Sequence, residues 1–397
     1  MALELPVPAK RITVPGMSRA SRAINIDDLR TLAKKRLPRM VFDYIDGGAE
    51  DEITLRRSVD RYADYEWQWN SLVDVTKLDL STTLFGQKNP MPFFISPTAA
   101  SRLFYPKEGE LAVARAAQKA GIAYSASTLA SQTLEDIAAA APDVPKIIQI
   151  YVWKDRGVVK EFLARAKAAG FVGCVLTVDA AVAGYRERDP RNGFSIPPKV
   201  NSKTATQALA KPGYLWDIVT GSKIGPANFA QQAGGGDVMG TINNLFDRSM
   251  AWKDAEWMAN EWGGPFAVKG IATAEDAVRA VEHGASAVWL SNHGGRQIDT
   301  SVPVIDLIPE VREAIDPKIE LIADGGVRRG SHALKLIARG ATSVAIGRAY
   351  LYGLAAGGEA GVARAIQILK DDVERGLGLL GVPRLADLDE TLLRLRR

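Results

Sequence analysis

The sequence predicts an α/β fold, a (β/α)8 or TIM barrel, with a helical segment ahead of it and one long insertion after the fourth strand. Three observations lead there. Eight short apolar runs of strand length recur along the chain. Segments with apolar residues at helical spacing separate most of them. Nearly every run ends in a polar or charged residue, and the carboxyl ends of the strands are where this fold keeps its chemistry.

The runs are "FFISPTA" (93–99), "AYSAST" (123–128), "IIQIYV" (147–152), "GCVLTVD" (173–179), "FAVKGI" (266–271), "AVWLSNHG" (287–294), "ELIADGG" (320–326) and "SVAIGRA" (343–349). Continuous apolarity fits strands covered on both faces, hence a parallel sheet. Helices are expected at 109–121, 133–141, 156–170, 273–284 and 330–340, several of them closed by glycine. "TAED" puts Thr273 ahead of one helix with acids in its first turn, a capping pattern. Most strand-to-strand spacings are about 20 to 30 residues, one strand–helix unit each. A doubly wound open sheet would want a glycine-rich dinucleotide loop after its first strand, and "AASRLFYPKEGE" stands there instead.

One spacing breaks the rule. Residues 180–265 exceed what a single helix needs, and 190–247 have loop chemistry, as expected of a lid or an interaction element. The chain re-enters helix in "DRSMAWKDAEWMANEWG". Ahead of the barrel, "NIDDLRTLAKKRLPRMVFDYIDGGAEDE" reads as helical, and a helix near "GVARAIQILKDDVERGLGLLG" closes the chain. The expected division is an arm over 1–24 and a catalytic unit over 25–385 that includes the insertion.

Composition bounds the function. The chain has 397 residues, 47% hydrophobic and 24% charged, as a globular protein with a large core should. A net charge of +4 does not point to nucleic acid, but it suits an anionic substrate or an anionic lipid surface. A single cysteine, Cys174, permits no internal disulfide. No run of 18 apolar residues predicts a membrane-spanning helix, and the N-terminus lacks a signal-peptide core. A cytoplasmic protein is expected. No His, Cys and acid set has metal-ligand spacing, so no metal is expected.

The strand ends supply the candidates. They are Pro97, Thr98 and Ala99; Ser127; Gln149 and Tyr151; Thr177 and Asp179; Lys269; His293 and Arg296; Asp324 to Gly326 with Arg328; and Gly347 with Arg348. "DGGVRRG" and "IGRA" follow strands seven and eight, where glycine amides and arginines suit a phosphate. Lys269 within an apolar strand needs an anionic neighbour, either a structural salt bridge or a cofactor. His293 beside Asp179 suits a general base with its orienting carboxylate. Arg186 and Arg296 suit a substrate carboxylate. His283 and His332 carry no sign of catalysis.

"SNHGGRQ", "DGGVRRG", "IGRA", "LTVD" and "LPRMVFDYIDGGAEDE" resemble the FMN-dependent L-2-hydroxy acid dehydrogenases and oxidases, in order, from about residue 23 onward. The resemblance implies FMN on a TIM barrel. Pro97, Thr98 and Ala99 would run along the flavin ring; Ser127, Gln149 and Thr177 would hydrogen-bond it; Lys269 would stabilise its reduced form. Asp324, Gly326, Arg328, Gly347 and Arg348 would hold the ribityl phosphate. Tyr44, Tyr151, Arg186 and Arg296 would bind the substrate, with His293 as base and Asp179 as its partner.

"VAGYRERD" looks like mandelate dehydrogenase, and the insertion looks like bacterial L-lactate dehydrogenase. Both subgroups associate this region with membranes. Here Lys199, Lys203, Lys211 and Lys223 accompany Tyr214, Leu215, Trp216 and Ile218, a mixture that suits a lipid interface at the inner face of the cytoplasmic membrane. A lid is the other reading. Leu129 replaces a tryptophan of glycolate oxidase and implies a differently shaped substrate pocket. The expected reaction is oxidation of L-lactate, with (S)-mandelate or a peroxide-forming oxidase as alternatives. A quinone or other carrier would take the electrons, and a homotetramer is the family's usual state. A catalytically silent flavin protein and a different phosphate-binding barrel are the readings from other classes.

Overall fold

The computed structural model describes residues 19–194, 202–221, 224–229 and 247–396. Eight parallel strands close into a barrel: β1 Phe93–Ile95, β2 Tyr124–Ser127, β3 Lys146–Ile150, β4 Gly173–Thr177, β5 Phe266–Ile271, β6 Ala287–Leu290, β7 Glu320–Ala323 and β8 Ser343–Ile346. Each pairs with its sequence neighbour, and β8 returns to β1. All eight expected runs contain strands, each ending one to four residues before the end of its run or, for β5, at its last residue. Tyr151 and Asp179 therefore stand just past their strands.

The runs are apolar throughout because both faces are covered. In β1, Phe93 and Ile95 join the layer under the helices while Phe94 joins the barrel interior. That interior holds Phe94, Ile147, Val175, Trp289 and Ile322, with Phe94 meeting Trp289 edge-on at 5.3 Å. Its floor is a hairpin, 82–84 against 87–89, that inserts Leu84 and Phe85. Phe85 and Gly86, both at positive φ, donate their N–H groups to the Glu320 carboxylate at 2.6 and 3.0 Å.

Among the described residues, three α-helices precede the barrel: α1 Ile26–Arg36, α2 Arg39–Asp46 and α3 Ile53–Asp60. Pro38 and the Gly47–Gly48 pair divide what the sequence presents as one helical segment. Asn25 caps α1 at 2.8 Å. Outside the barrel run α4 Glu110–Ala120, α5 Leu134–Ala140 and α6 Arg156–Ala168. The insertion contributes α7 Arg188–Asn192, α8 Ser202–Leu209 and α9 Pro212–Thr220. Then come α10 Trp252–Trp262, α11 Ala274–Glu282, α12 Val304–Ala314, α13 Gly330–Ala338 and α14 Arg348–Leu380. Thr273 caps α11 as the capping pattern requires. α12 is absent from the sequence expectation because Pro309 interrupts its pattern. α14 begins thirteen residues before the helix expected from the sequence and is kinked at Gly357 and Gly358. Past residue 385, a strand at 393–395 pairs with 65–67, so the packed chain runs nearly to its end.

The described part of the insertion packs on the rim. Met40 donates its N–H to Gln207 at 2.8 Å, Arg36 pairs with Asp217 at 2.6 Å, and Tyr214 donates to the Leu103 carbonyl at 2.8 Å. Lys199, Lys223 and the side chain of Lys203 lie outside the described residues, as do 195–201, 222–223 and 230–246.

Candidate active site

The carboxyl ends of the strands open onto a cavity of about 210 Å³. Barrel register sets its wall. Ser127 pairs with Gln149 across β2 and β3, and Thr177 with Lys269 across β4 and β5, so four polar side chains share one rim. The Gln149 amide donates to Thr177 Oγ1 at 3.0 Å, and Ser127 Oγ donates to its carbonyl oxygen at 3.2 Å. Every residue that the sequence put at this end lines the cavity, including Tyr44, Leu129 and Arg186 from other segments, except Asp179.

Asp179 stands behind the wall. Its Oδ1 is 2.9 Å from His293 Nδ1, which leaves Nε2 as the ring nitrogen to face the cavity. Gly270, at φ +103°, makes the room, since a Cβ there would fall 2.7 Å from Asp179 Cγ. Burial pushes the Asp179 carboxyl up. The positive charges of His293 and Lys269 and the His293 hydrogen bond outweigh it and hold it below its ordinary value. Its second oxygen has no hydrogen-bond partner among the described residues. His293 itself has φ +54°, followed by Gly294 at +65° and Gly295 at +72°. Three left-handed residues in a row turn the chain sharply after β6 and return Arg296 to the same cavity. Gly295 also lets α3 approach, because a Cβ would lie 2.6 Å from the Leu55 nitrogen.

Two guanidinium groups lie over the Tyr44 ring, Arg296 at 4.8 Å and Arg186 at 5.8 Å from its centroid. Tyr44 in turn stacks on Phe194 at 4.3 Å. Arg296 donates to the carbonyls of Tyr44 and Gly47 at 2.6 and 3.2 Å. Burial, with Arg186 next, pulls its pKa down to about 10. Arg348 donates to the carbonyls of Ile45, Gly294 and Gly47 at 2.9, 2.8 and 2.8 Å, and burial with Arg296 next pulls it down to about 9. Among the described residues neither has a carboxylate partner. Lys269 donates to Ser291 Oγ at 2.9 Å and stands 3.7 Å from Asp324. Asp324 is fixed by Ser291 and Trp289 at 2.8 and 2.9 Å.

The FMN-dependent dehydrogenase family matches residues 33–395. The chain belongs to that family. A Caulobacter vibrioides L-lactate dehydrogenase is 39% identical over 372 residues, spanning 92% of this chain and 96% of its own. A Mycobacterium tuberculosis protein provisionally named an L-lactate dehydrogenase is 43% identical over 370 residues, 93% of this chain and 89% of its own. The crystal structure of the monotopic membrane protein (S)-mandelate dehydrogenase superposes with a TM-score of 0.90 at 36% identity, over 94% of this chain and all (100%) of that one.

This FMN-dependent dehydrogenase has the site its cofactor needs. Arg186, Arg296, Arg328, Arg348 and Lys269 share a wall with one carboxylate, Asp324. Half-buried arginines such as Arg296 and Arg348, with no carboxylate partner among the described residues, call for bound anions, and a flavin phosphate with a substrate carboxylate would supply them. Gly347 caps α14, so the unsatisfied N–H groups of a long helix begin at the same wall.

Sequence reasoning missed several contributors. Ser291 links Lys269 to Asp324 but looks like an ordinary strand-end serine. Gln297 bonds the carbonyls of Asp179 and Val182 at 2.7 and 3.0 Å and so holds the loop behind His293. Its place one residue after Arg296 was the available signal. Phe104 and Ala183 line the cavity from loops that no periodicity marks. His332 stacks on Tyr62 at 4.3 Å, and burial pulls it down to about 4, in keeping with its lack of catalytic signs. Among the described residues, no group of His, Cys, Asp and Glu could hold a metal ion.

Proposed function

We propose that this enzyme oxidises an L-2-hydroxy acid, L-lactate first, to the 2-keto acid and passes the electrons to a quinone or another carrier. The observation that carries this is the half-buried His293–Asp179 pair, whose histidine opens on the same cavity as Arg186 and Arg296. The names of the sequence relatives support the substrate class.

FMN, when bound, supplies the two-electron acceptor. Pro97, Thr98, Ala99, Ser127, Gln149, Thr177 and Lys269 would hold its ring, and Asp324, Gly326, Arg328, Gly347 and Arg348 its ribityl phosphate. The substrate carboxylate bridges Arg186 and Arg296, whose desolvation strengthens the contact. Tyr44 and Tyr151 hold the hydroxyl end. Burial, with Asp179 next, raises the Tyr151 pKa well above its ordinary value, so it remains a phenol and donates. His293 Nε2 takes the hydroxyl proton as C2 is oxidised, and Asp179 stabilises the imidazolium that forms. Leu129 shapes the side-chain end of the pocket.

(S)-Mandelate is the second reading. The small Ala180 and Ala183 in the wall, and the likeness to mandelate dehydrogenase, favour room for an aryl group. The insertion is assigned to a membrane surface. Leu209, Trp216 and Val219 project from α8 and α9 with 68%, 65% and 70% exposure, and no described helix is long and apolar enough to cross a membrane. A cytoplasmic tetramer resting on the inner membrane face accords with this. The catalytic unit extends the expected 25–385 to take in the strand at 393–395, with 190–247 as its insertion.

Steady-state assays with lactate, glycolate and mandelate enantiomers, using a quinone-analogue dye or oxygen, test the reading. Dye reduction with L-lactate and little peroxide is expected. Peroxide at the full turnover rate would make the enzyme an oxidase instead. Co-sedimentation with anionic vesicles, reduced by Trp216→Ser, tests the membrane contact.

A further inference from the structure

The four residues Tyr44–Gly47 hold two half-buried arginines of the cavity wall, Arg296 and Arg348. Carbonyls of Tyr44 and Gly47 accept from Arg296, and those of Ile45 and Gly47 accept from Arg348. A carbonyl can aim a guanidinium only as well as its own peptide is fixed. The fixing group is Asp46, whose side chain is 5% exposed although it sits on a short helix end.

Asp46 is bound from three sides. Arg30 of α1 forks onto both of its oxygens at 2.5 and 2.8 Å. Arg188 of α7 reaches Oδ2 at 3.2 Å, and Tyr352 of α14 donates to Oδ1 at 2.8 Å. Burial pushes the carboxyl up, but the Arg30 hydrogen bond, the Arg30 charge and the Tyr352 and Arg188 contacts together hold it below its ordinary value. Asp46 touches nothing in the cavity and does not line it. Its partners come from the N-terminal helices, the root of the insertion and the helix after β8. The peptide that aims the arginines is thus bolted to three separate parts of the fold.

We infer that Asp46 is a positioning residue for substrate recognition: by clamping the Tyr44–Gly47 backbone it sets the aim of Arg296, and hence selectivity for the carboxylate of the substrate. This rests on the proposed role of Arg296. It has a consequence that loss of folding alone would not have. An acid substrate should suffer, and its methyl ester, which gives a guanidinium no charged partner, should not.

The test measures kcat/KM for L-lactate and for methyl L-lactate in flavin-loaded enzyme. Asp46→Asn removes the clamp's charge. Arg30→Met removes its largest partner from a half-exposed helix face, remote from the cavity and milder for folding. Each is expected to lower the acid-over-ester ratio by about 10- to 100-fold, the scale on which a displaced binding group acts, mainly through KM, with the ester rate little changed. Equal losses for acid and ester, or an unchanged ratio in both variants, would overturn the assignment. Arg296→Lys, measured alongside, separates the two ideas. If it leaves the ratio intact, the reading of Arg296 itself fails. If it collapses the ratio while both clamp variants keep it, Arg296 stands and Asp46 does not.

Discussion

Two lysines are buried in the barrel wall at its opposite ends, on strands separated by β4. Lys146 opens β3 at the floor, and Lys269 stands near the end of β5 at the mouth; they are 4% and 5% exposed. Lys146 gives its ammonium to three carbonyls, those of Ala141, Pro142 and Val144, at 2.9, 3.1 and 3.2 Å. Lys269 gives a hydrogen bond to one hydroxyl and faces a cavity. The same contrast holds between other charged and amide groups at the two ends. At the floor, Glu320 accepts two amides and the Asn89 amide nitrogen donates to two carbonyls, at 2.5 and 3.0 Å. At the mouth, Asp179 keeps an oxygen without a partner among the described residues, and arginines rely on carbonyls. Polar groups that satisfy each other hold a fold together. Charged groups left without an opposite charge on a cavity wall mark where a ligand belongs.

Substitutions at the two ends should therefore fail in different ways. His293→Gln is expected to keep flavin and fold and to lose about 10²–10⁴ in turnover, read by steady-state assay against flavin content. At the floor, Phe85→Ala is expected to cost about 3–5 kcal/mol of stability, read by urea unfolding, with turnover per flavin unchanged. A large loss of turnover there would break the contrast. The lysines form the sharpest pair. Lys146→Met leaves three carbonyls bare and should cost about 1–3 kcal/mol without altering the flavin midpoint potential. Lys269→Met should lower that potential, and an unshifted potential would remove Lys269 from the cofactor's surroundings.

The smallest effect concerns His332. Its folded pKa, about 4, lies below the ordinary 6.5, so the unfolded chain binds a proton that the folded one refuses. Its stabilising contribution is present above about pH 6.5 and is lost as pH falls toward 4. His332→Phe, which keeps the stack on Tyr62, should flatten the acid side of a urea-midpoint profile without changing the midpoint's trend above pH 7.

Much of this was legible in the sequence because the barrel announces itself. Runs such as 173–179 are apolar on both faces and then abruptly polar, so strand ends and rim residues are read together. What the sequence hid has physical reasons. Pro309 disguises α12. Asp46 sits on an amphipathic helix where an acid ordinarily faces water, and nothing local reveals that Arg188, far along the chain, comes to meet it. Asp179 was readable as the partner of His293, but its place behind the wall depends on Gly270 in another strand. Arg348 was expected at a phosphate, and its side chain bonds three carbonyls, so its part in cofactor binding rests on the cavity it lines and the helix it begins.

The most direct measurement mixes L-lactate anaerobically with flavin-loaded enzyme and follows the flavin absorbance in a single turnover. The account predicts rapid bleaching in the wild type, none with the D enantiomer, and bleaching slowed by orders of magnitude in His293→Gln at unchanged flavin occupancy. Bleaching of His293→Gln at the wild-type rate, or no bleaching of the wild type by any 2-hydroxy acid, would contradict it.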